Sequence, residues 1–278
     1  MTVLVTKFDG TKQPFDRTKV LQTLRRMGAA DDVAESVVAD IESRLYDGIE
    51  TKKILQMVFR HLRKHKPVTK HKIDLRKALS MLSPQPGFER FVQELLREHG
   101  YQVTPNQIVR GRCVEHEVDA IARKDGKTAI VEVKHHYRPH TRTNLDVSRI
   151  SRAVFEDVTE GYAEGVNDLK IDYPMIVCNT KMTDHAKRYA DCRGIRHIGW
   201  SYPKNGDLQS LIEQKKLYPV TFLKGLNATS REKLALAEIV LLKQFARTKT
   251  NKLRKITGLS FQKLDSLVIG ARAILSET

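Results

Sequence analysis

The stretch Val118-Asp119-Ala120-Ile121-Ala122-Arg123-Lys124-Asp125-Gly126-Lys127-Thr128-Ala129-Ile130-Val131-Glu132-Val133-Lys134 decides how this chain of 278 residues is read. Two runs, Glu117 to Arg123 and Thr128 to Lys134, have strand composition and flank Asp125-Gly126, the dipeptide that most favours a tight hairpin turn. With those two residues in the turn, Lys124 pairs with Lys127. Counting back along the ladder then sets Asp119 opposite Glu132 and Lys134 opposite Glu117. Directly opposed residues hold their Cβ atoms about 4.5–5.5 Å apart, and like charges there destabilise a sheet. A divalent cation offsets the repulsion, because Mg²⁺ is usually held by one or two carboxylates with phosphate oxygens and water completing its shell. Lys134 stands beside that position, within reach of a phosphate or an attacking water.

The competing reading is a solvated amphipathic hairpin in which Glu117 and Lys134 form a surface ion pair of little energetic consequence. The apolar pattern argues against it. Ile121 and Ile130 share a face with Asp119 and Glu132, while Val118, Ala120, Ala122, Ala129, Val131 and Val133 occupy the other. Apolar residues on both faces describe central strands covered on both sides. Charges in such a place are costly, and they mark functional sites more often than chance.

The neighbouring segments set this hairpin in an order. Phe88, Phe91, Val92, Leu95 and Leu96 recur at helical spacing up to Gly100, and Tyr101 to Val109 reads as a strand. After the hairpin come a helix over Leu145–Tyr162, a strand over Tyr173–Asn179, a helix over Thr183–Cys192 and a strand over Ile195–Trp200. The order α-β-β-β-α-β-α-β predicts an α/β fold with a mixed sheet and helices on both faces.

This order, with Asp119 and Glu132-Val133-Lys134, resembles the PD-(D/E)xK nuclease superfamily. Gly87-Phe88-Glu89, Leu95-Leu96 and Gly100-Tyr101 are similar to the opening of the Mrr-like restriction endonuclease domain. Asn179-Thr180, Thr183, Ala186, Ala190 and Gly194-Ile195 are similar to its second half. The resemblance implies a restriction-endonuclease-like core over 84–205 that hydrolyses phosphodiesters in DNA. By the same resemblance Asp119 and Glu132 bind one or two Mg²⁺ (or Mn²⁺) ions, and Lys134 orients the water or steadies developing charge. Glu89 is the helix-borne acid, completing the metal shell through water or capping its helix. Glu117 stands where many Mrr-like members carry glycine, and Glu132 where many carry glutamine.

Residues 1–83 form a separate module, closed by the proline-rich linker Ser83-Pro84-Gln85-Pro86-Gly87. A strand at Val3–Gly10 precedes helices that begin after Asp16, over Val33–Leu45, over Thr51–Lys64 and over Thr69–Leu82. Lys7-Phe8-Asp9-Gly10, Pro14-Phe15-Asp16, Lys19, and Tyr46-Asp47-Gly48-Ile49 followed by Thr51 and Ile54 resemble the ATP-cone, a nucleotide-sensing domain. That resemblance implies ATP or dATP as effector, with Lys7, Lys19 and Thr51 contacting phosphate. Phe8 departs from the arginine common there, and Gln13 from the glutamate. On charge alone, the module also reads as a basic helical domain that touches DNA.

The remaining residues, 206–278, are predicted to be all-helical: Ser230 to about Arg247, Asn251 to Ile256, and a last helix from Ser260. Lys255-Ile256-Thr257-Gly258-Leu259-Ser260, with Leu264, Leu267 and Ala271, looks like a helix-hairpin-helix, whose glycine turn offers backbone N–H groups to phosphate.

The formal charge is +16, which calls for an anionic partner. Lys and Arg outnumber Asp and Glu by 17 to 10 over 1–82 and by 13 to 6 over 206–278, but only by 19 to 17 over 84–205, so the basic charge lies on the flanks. Lys243 to Lys255 holds six basic residues and no acidic one, a concentration suited to DNA phosphates. Cys113, Cys178 and Cys192 form no CxxC. Cys113, His116, His135, His136 and His140 fit no recognised zinc spacing, and His135 is placed to meet phosphate instead. No apolar stretch reaches membrane length, and the expected setting is the cytoplasm. The expected function is a metal-dependent DNA endonuclease responsive to adenine nucleotide. The oligomeric state is open from sequence, with a homodimer one expectation because enzymes that cut both strands often act as dimers. The alternative class is a nucleotide-responsive DNA-binding regulator with a vestigial core.

Overall fold

The computed structural model describes residues 3–26, 29–65 and 71–276. The chain divides into two compact units, residues 1–72 with 269–278, and residues 73–268.

In the first unit the strand β1 (Leu4–Thr6) pairs antiparallel with β2 (Lys12–Pro14), and helices α1 (Arg17–Arg26) and α2 (Asp31–Glu42) follow. β3 (Ile49–Glu50) then pairs parallel with β1 and runs directly into α3 (Thr51–His65). Leu24, Val37, Ile41, Ile49, Val58 and Leu62 make the core, each at most 2% exposed. The apolar stripes of the helices announce them. The two-residue β3 has too few residues to show a period, and its pairing with β1 is a tertiary event.

The second unit begins with α4 (Leu75–Ser80), capped by the Asp74 carboxylate, which accepts from the Lys77 amide at 2.9 Å. This is shorter than the helix predicted over Thr69–Leu82, whose start lies outside the described residues; the Asp74 cap sets the true beginning. The Ser83–Gly87 stretch, read from composition as a linker, is a folded turn. Ser83 Oγ accepts from the Gly87 amide at 3.2 Å, and Gly87 and Phe88 are buried.

α5 (Glu89–Glu98) leads to β4 (Gln102–Arg110), β5 (Glu115–Lys124) and β6 (Lys127–Lys134), which pair antiparallel in sequence. The short β7 (Arg142–Thr143) precedes α6 (Leu145–Ala163), β8 (Tyr173–Cys178) and the short β9 (Lys181–Met182), and then α7 (Asp184–Arg193) and β10 (Arg196–Ile198). The five-stranded sheet has the order β10-β8-β6-β5-β4. β6, β8 and β10 run parallel, so β6 sits at the centre, where the antiparallel half meets the parallel half. Asp125, at φ +53, and Gly126, at φ +73, make the turn, and Lys124 pairs with Lys127 as the dipeptide predicts. Ile121 pairs with Ile130, and both pack with Val154 and Val158 of α6. The α/β class and mixed sheet are as expected.

Helices α8 (Leu208–Gln214), α9 (Ala228–Leu236), α10 (Leu242–Arg247), α11 (Thr250–Thr257) and α12 (Phe261–Ser276) complete the chain. The single helix predicted from Ser230 to Arg247 is two. Asn227, not Ser230, caps α9, its Oδ1 accepting from the Ser230 amide at 2.8 Å. Glu238 adopts φ +62, and the buried run Ile239-Val240-Leu241 leaves the helix so that Leu241 can bridge to Pro219. Gln244 Oε1 accepts from the amides of both Val240 and Leu241, starting the next helix. Gly258, at φ +74, ends α11, a conformation that costs glycine nothing.

Candidate active site

Asp119 lies near the middle of β5, and Glu132 and Lys134 lie at the end of β6. Backbone pairing between the two strands runs from Lys124↔Lys127 to Ala120↔Val131 and stops one step short of Asp119 and Glu132. There a side chain takes over from the ladder: Asp119 Oδ2 accepts the Val133 amide at 2.6 Å. The carboxylate is thereby fixed at the mouth of the diverging strands, next to the residues on either side of Val133.

On the other flank of β5, Pro105 pairs with Ala120 and Gln107 with Val118, and Asn106 between them takes φ +44 opposite Asp119. Gln93 of α5, only 4% exposed, donates one amide to Asn106 Oδ1 at 3.1 Å and to the Asp119 carbonyl at 3.2 Å. Asn106 and Gln85 both hydrogen-bond the Glu89 carboxylate, which is 7% exposed at the first turn of α5. Glu89 is thus tied to the strand that carries Asp119 through the amides of Asn106 and the buried Gln93. No apolar or helical period announces Gln93 and Asn106; their only sequence signal is an amide within an apolar helix stripe and an Asn after proline in a strand.

Electrostatics gather the same residues. Burial pushes the Glu132 carboxyl up to about 7, the negative charges of Asp119 and Glu89 add to the rise, and Lys134 opposes it. Asp119 is raised by burial and by Glu117, against the Val133 hydrogen bond and Lys134. Glu89 is raised by burial and by Asp119 and Glu117, against the hydrogen bonds from Gln85 and Asn106. Four acids and one lysine therefore form one field, with Glu117 at its exposed rim. Placing two half-buried carboxylates together is unfavourable in the bare protein, and a cation is the group that reverses the sign.

Among the described residues no three His, Cys, Asp or Glu side chains converge as a ready-made metal cluster. The donor set fits a cation that takes two carboxylates from the protein and the rest of its shell from phosphate and water, the usual habit of Mg²⁺.

The histidines and cysteines do not join this site. Cys113 and His116 meet Asp157, whose carboxylate accepts from the Cys113 amide at 2.8 Å and lies 2.7 Å from His116 Nε2. His135, expected to reach phosphate, packs its ring on Phe88 at 5.2 Å with Nε2 at 3.1 Å from the Leu79 carbonyl. It braces α4 against the end of β6. Asn179, fully buried, exchanges hydrogen bonds with the His136 backbone at 2.8 Å and ties the ends of β6 and β8 together.

In the first unit Lys7 follows β1 and Thr51 follows β3, and the β1–β3 register, Thr6↔Glu50, puts them on adjacent chain ends. Lys7 is exposed, and Thr51 opens α3. Lys19 is exposed on α1 and pairs with Asp16 at 3.1 Å.

A mixed sheet with paired carboxylates and a lysine at the end of its central strand defines a restriction-endonuclease-type domain. The sequence matches the restriction endonuclease family over residues 80–198, preceded by an ATP cone domain over 3–78 and followed by the AF1548-like C-terminal domain over 218–275. The chain belongs to the AF1548-like family. It is 34% identical to AF1548, a protein of unknown function with a crystal structure, covering 68% of this chain and 97% of that one with a TM-score of 0.58. It is also 36% identical over 182 residues to an uncharacterized protein of Archaeoglobus fulgidus, covering 65% of this chain and 98% of that one. A structure of Can2 from Sulfobacillus thermosulfidooxidans in complex with cyclic tetra-adenylate aligns at 14% identity and a TM-score of 0.33.

Proposed function

We propose that this protein is a metal-dependent endodeoxyribonuclease whose activity responds to ATP or dATP. The observation that carries the reading is the half-buried pair of Asp119 on β5 and Glu132 at the end of the central strand β6, with Lys134 beside them and Glu132 pushed up to about 7. Asp119 and Glu132 would hold Mg²⁺ or Mn²⁺. A bound ion of this kind supplies Lewis acidity to the phosphoryl oxygen and lowers the pKa of its water.

The remaining roles belong to the chain itself. Asp119 is held by the Val133 amide, which leaves its other oxygen for a ligand. Lys134 places a positive charge beside both carboxylates, where it orients the nucleophilic water or steadies charge on the phosphorane. Glu89, braced by Gln85 and Asn106, accepts a proton or a hydrogen bond from ordered water at the same site. Residues 1–83 would sense nucleotide through Lys7, Lys19 and Thr51, 84–205 would cut, and 206–278 would hold DNA with the exposed Arg247, Lys249, Lys252, Arg254 and Lys255.

The test is incubation of the full chain with linear, branched and single-stranded DNAs, with Mg²⁺ or Mn²⁺ and with or without ATP and dATP, beside Asp119→Ala and Lys134→Ala. Metal-dependent cleavage lost in both variants supports the reading. Cleavage that survives both sinks it.

A further inference from the structure

Arg76 of α4 sits in an environment that the described residues do not fully satisfy. The guanidinium is half-buried and lies 5.8 Å from the centre of the Trp200 ring, and one terminal nitrogen is 3.2 Å from His140 Nδ1. Its Nε is buried and has no hydrogen-bond partner among the described residues. A buried donor without an acceptor costs about 1–3 kcal/mol, more on a charged group, so such a donor asks for an explanation.

The charges around it deepen the question. Arg76 is lowered first by burial and also by the like charge of Arg142, with only Asp74 opposing. Asp74 also caps α4, its Oδ1 accepting from the Lys77 amide. Arg142 is exposed on β7, whose register pairs it with Lys181 of β9. The nearby acid Asp184 accepts from Lys187 at 3.2 Å and also feels the charge of Arg142. Two guanidiniums and an imidazole therefore share one place, with Lys181 opposite Arg142 in the β7–β9 register.

The place is not remote from the carboxylate pair. α4 is anchored through its Leu79 carbonyl to His135, the residue after Lys134, and β7 ends the loop that leaves β6. The Trp200 ring lies 5.8 Å from the Arg76 guanidinium, within cation–π reach, and a planar fork suits the bidentate recognition of phosphate oxygens.

We propose that Arg76 and Arg142, with His140 and the Trp200 ring as their support, form a phosphate-binding subsite that grips the DNA backbone beside the Asp119–Glu132–Lys134 site. The proposal rests on the DNA-nuclease reading and names a contact that reading lacks. The anion is a backbone phosphodiester of duplex DNA, not the phosphate of a free nucleotide.

The experiment measures binding without cleavage. Full-length Asp119→Ala protein in EDTA is titrated into fluorescent duplex DNA at several salt concentrations, and Arg142→Ala, Arg76→Lys and Arg76→Ala are compared in that background. Loss of one phosphate contact reduces the slope of log affinity against log salt by about 0.9. Arg142→Ala is expected to show that reduction, with affinity lowered severalfold. Arg76→Lys, which keeps the charge and loses the fork, is expected to weaken binding with the slope unchanged. Arg142 is exposed, so its variant folds, and thermal melting checks the Arg76 variants.

Unchanged affinity and slope in Arg142→Ala together with unchanged affinity in Arg76→Lys overturns the subsite. So does a loss of ATP affinity with duplex affinity intact, since the phosphate then belongs to a mononucleotide. Asp119→Ala protein that still cuts in Mg²⁺ refutes the catalytic reading but leaves the salt-slope result standing. Loss of cleavage with an unmoved slope refutes the subsite alone.

Discussion

The carboxylates of the central hairpin and the candidate phosphate contacts of the N-terminal unit carry charge in opposite ways. Asp119 and Glu132 are half-buried, close to each other, and pushed toward their neutral forms by desolvation. Lys7 and Lys19 stand in solvent, and Lys19 already has Asp16 beside it. Charge in water costs little and is worth little, whereas charge held in a sheet's interior must be compensated. The comparison teaches that the hairpin carboxylates must gain a proton or a counter-charge, while the N-terminal unit can keep its lysines with or without one.

That contrast sets the scale of the expected effects. Asp119→Ala is predicted to lower the cleavage rate at least about 100-fold, the size of losing a preorganised electrostatic group at a reacting centre; single-turnover assays with saturating Mg²⁺ check it. A residual rate within tenfold of the parent would place the site elsewhere.

Next in size is the packing under the pair. Ile130 is 4% exposed and packs with Ile121 and Val158. Ile130→Ala is expected to destabilise the protein by about 2–5 kcal/mol in urea unfolding.

The ionisation of Glu132 gives a smaller effect with a definite sign. Its folded pKa, about 7, lies above the ordinary value of 4.5. The folded state therefore holds the proton more tightly than the unfolded state. Stability is undiminished below about pH 4.5 and declines as pH rises through 7, where the folded protein must carry the charge. In EDTA, Glu132→Gln is expected to melt higher than the parent at pH 8, by on the order of 1–3 kcal/mol, and equally at pH 4.5. A parent whose stability rises between pH 5 and 8 relative to this variant would contradict the assignment.

The smallest effect is expected in the N-terminal unit. Lys7→Ala and Lys19→Ala should weaken ATP binding by about fivefold at most, the scale of one exposed charge contact, with DNA cleavage in the absence of nucleotide unchanged. A loss of several hundredfold would mean that these lysines are far less solvated in the complex than in the free protein.

Much of this architecture was legible in the sequence for a physical reason. The hairpin register follows from Asp125-Gly126, since a two-residue turn leaves no freedom in the ladder, and β5, β6, α6, β8 and α7 follow from their apolar periods. What was not legible depends on contacts across the fold. β2, β3, β7 and β9 are two or three residues long and exist only because a partner strand is present. The break at Glu238 arises where Leu241 bridges to Pro219, a preference the helical composition of Ser230–Arg247 conceals. At the site, counting brings Asp119, Glu132 and Lys134 to one end of the hairpin, but the ladder stops at Ala120↔Val131, so the predicted partners Asp119–Glu132 and Glu117–Lys134 are not ladder pairs. Gln93 and Asn106, which fix Asp119 and Glu89, could not be placed by counting, because their roles depend on a helix and a strand crossing at one point.

The central claim is that Asp119 and Glu132 act as one cation-binding pair, and proton release on metal binding tests it most directly. Calorimetric titration of Mn²⁺ into the parent, Asp119→Ala and Glu132→Gln at pH 6.5, in two buffers of different ionisation enthalpy, counts the protons given up. With Glu132 near pKa 7, the parent is predicted to release a fraction of a proton as the ion binds, Glu132→Gln to release much less, and both variants to bind more weakly. Equal affinity and equal proton release in all three proteins would contradict the account.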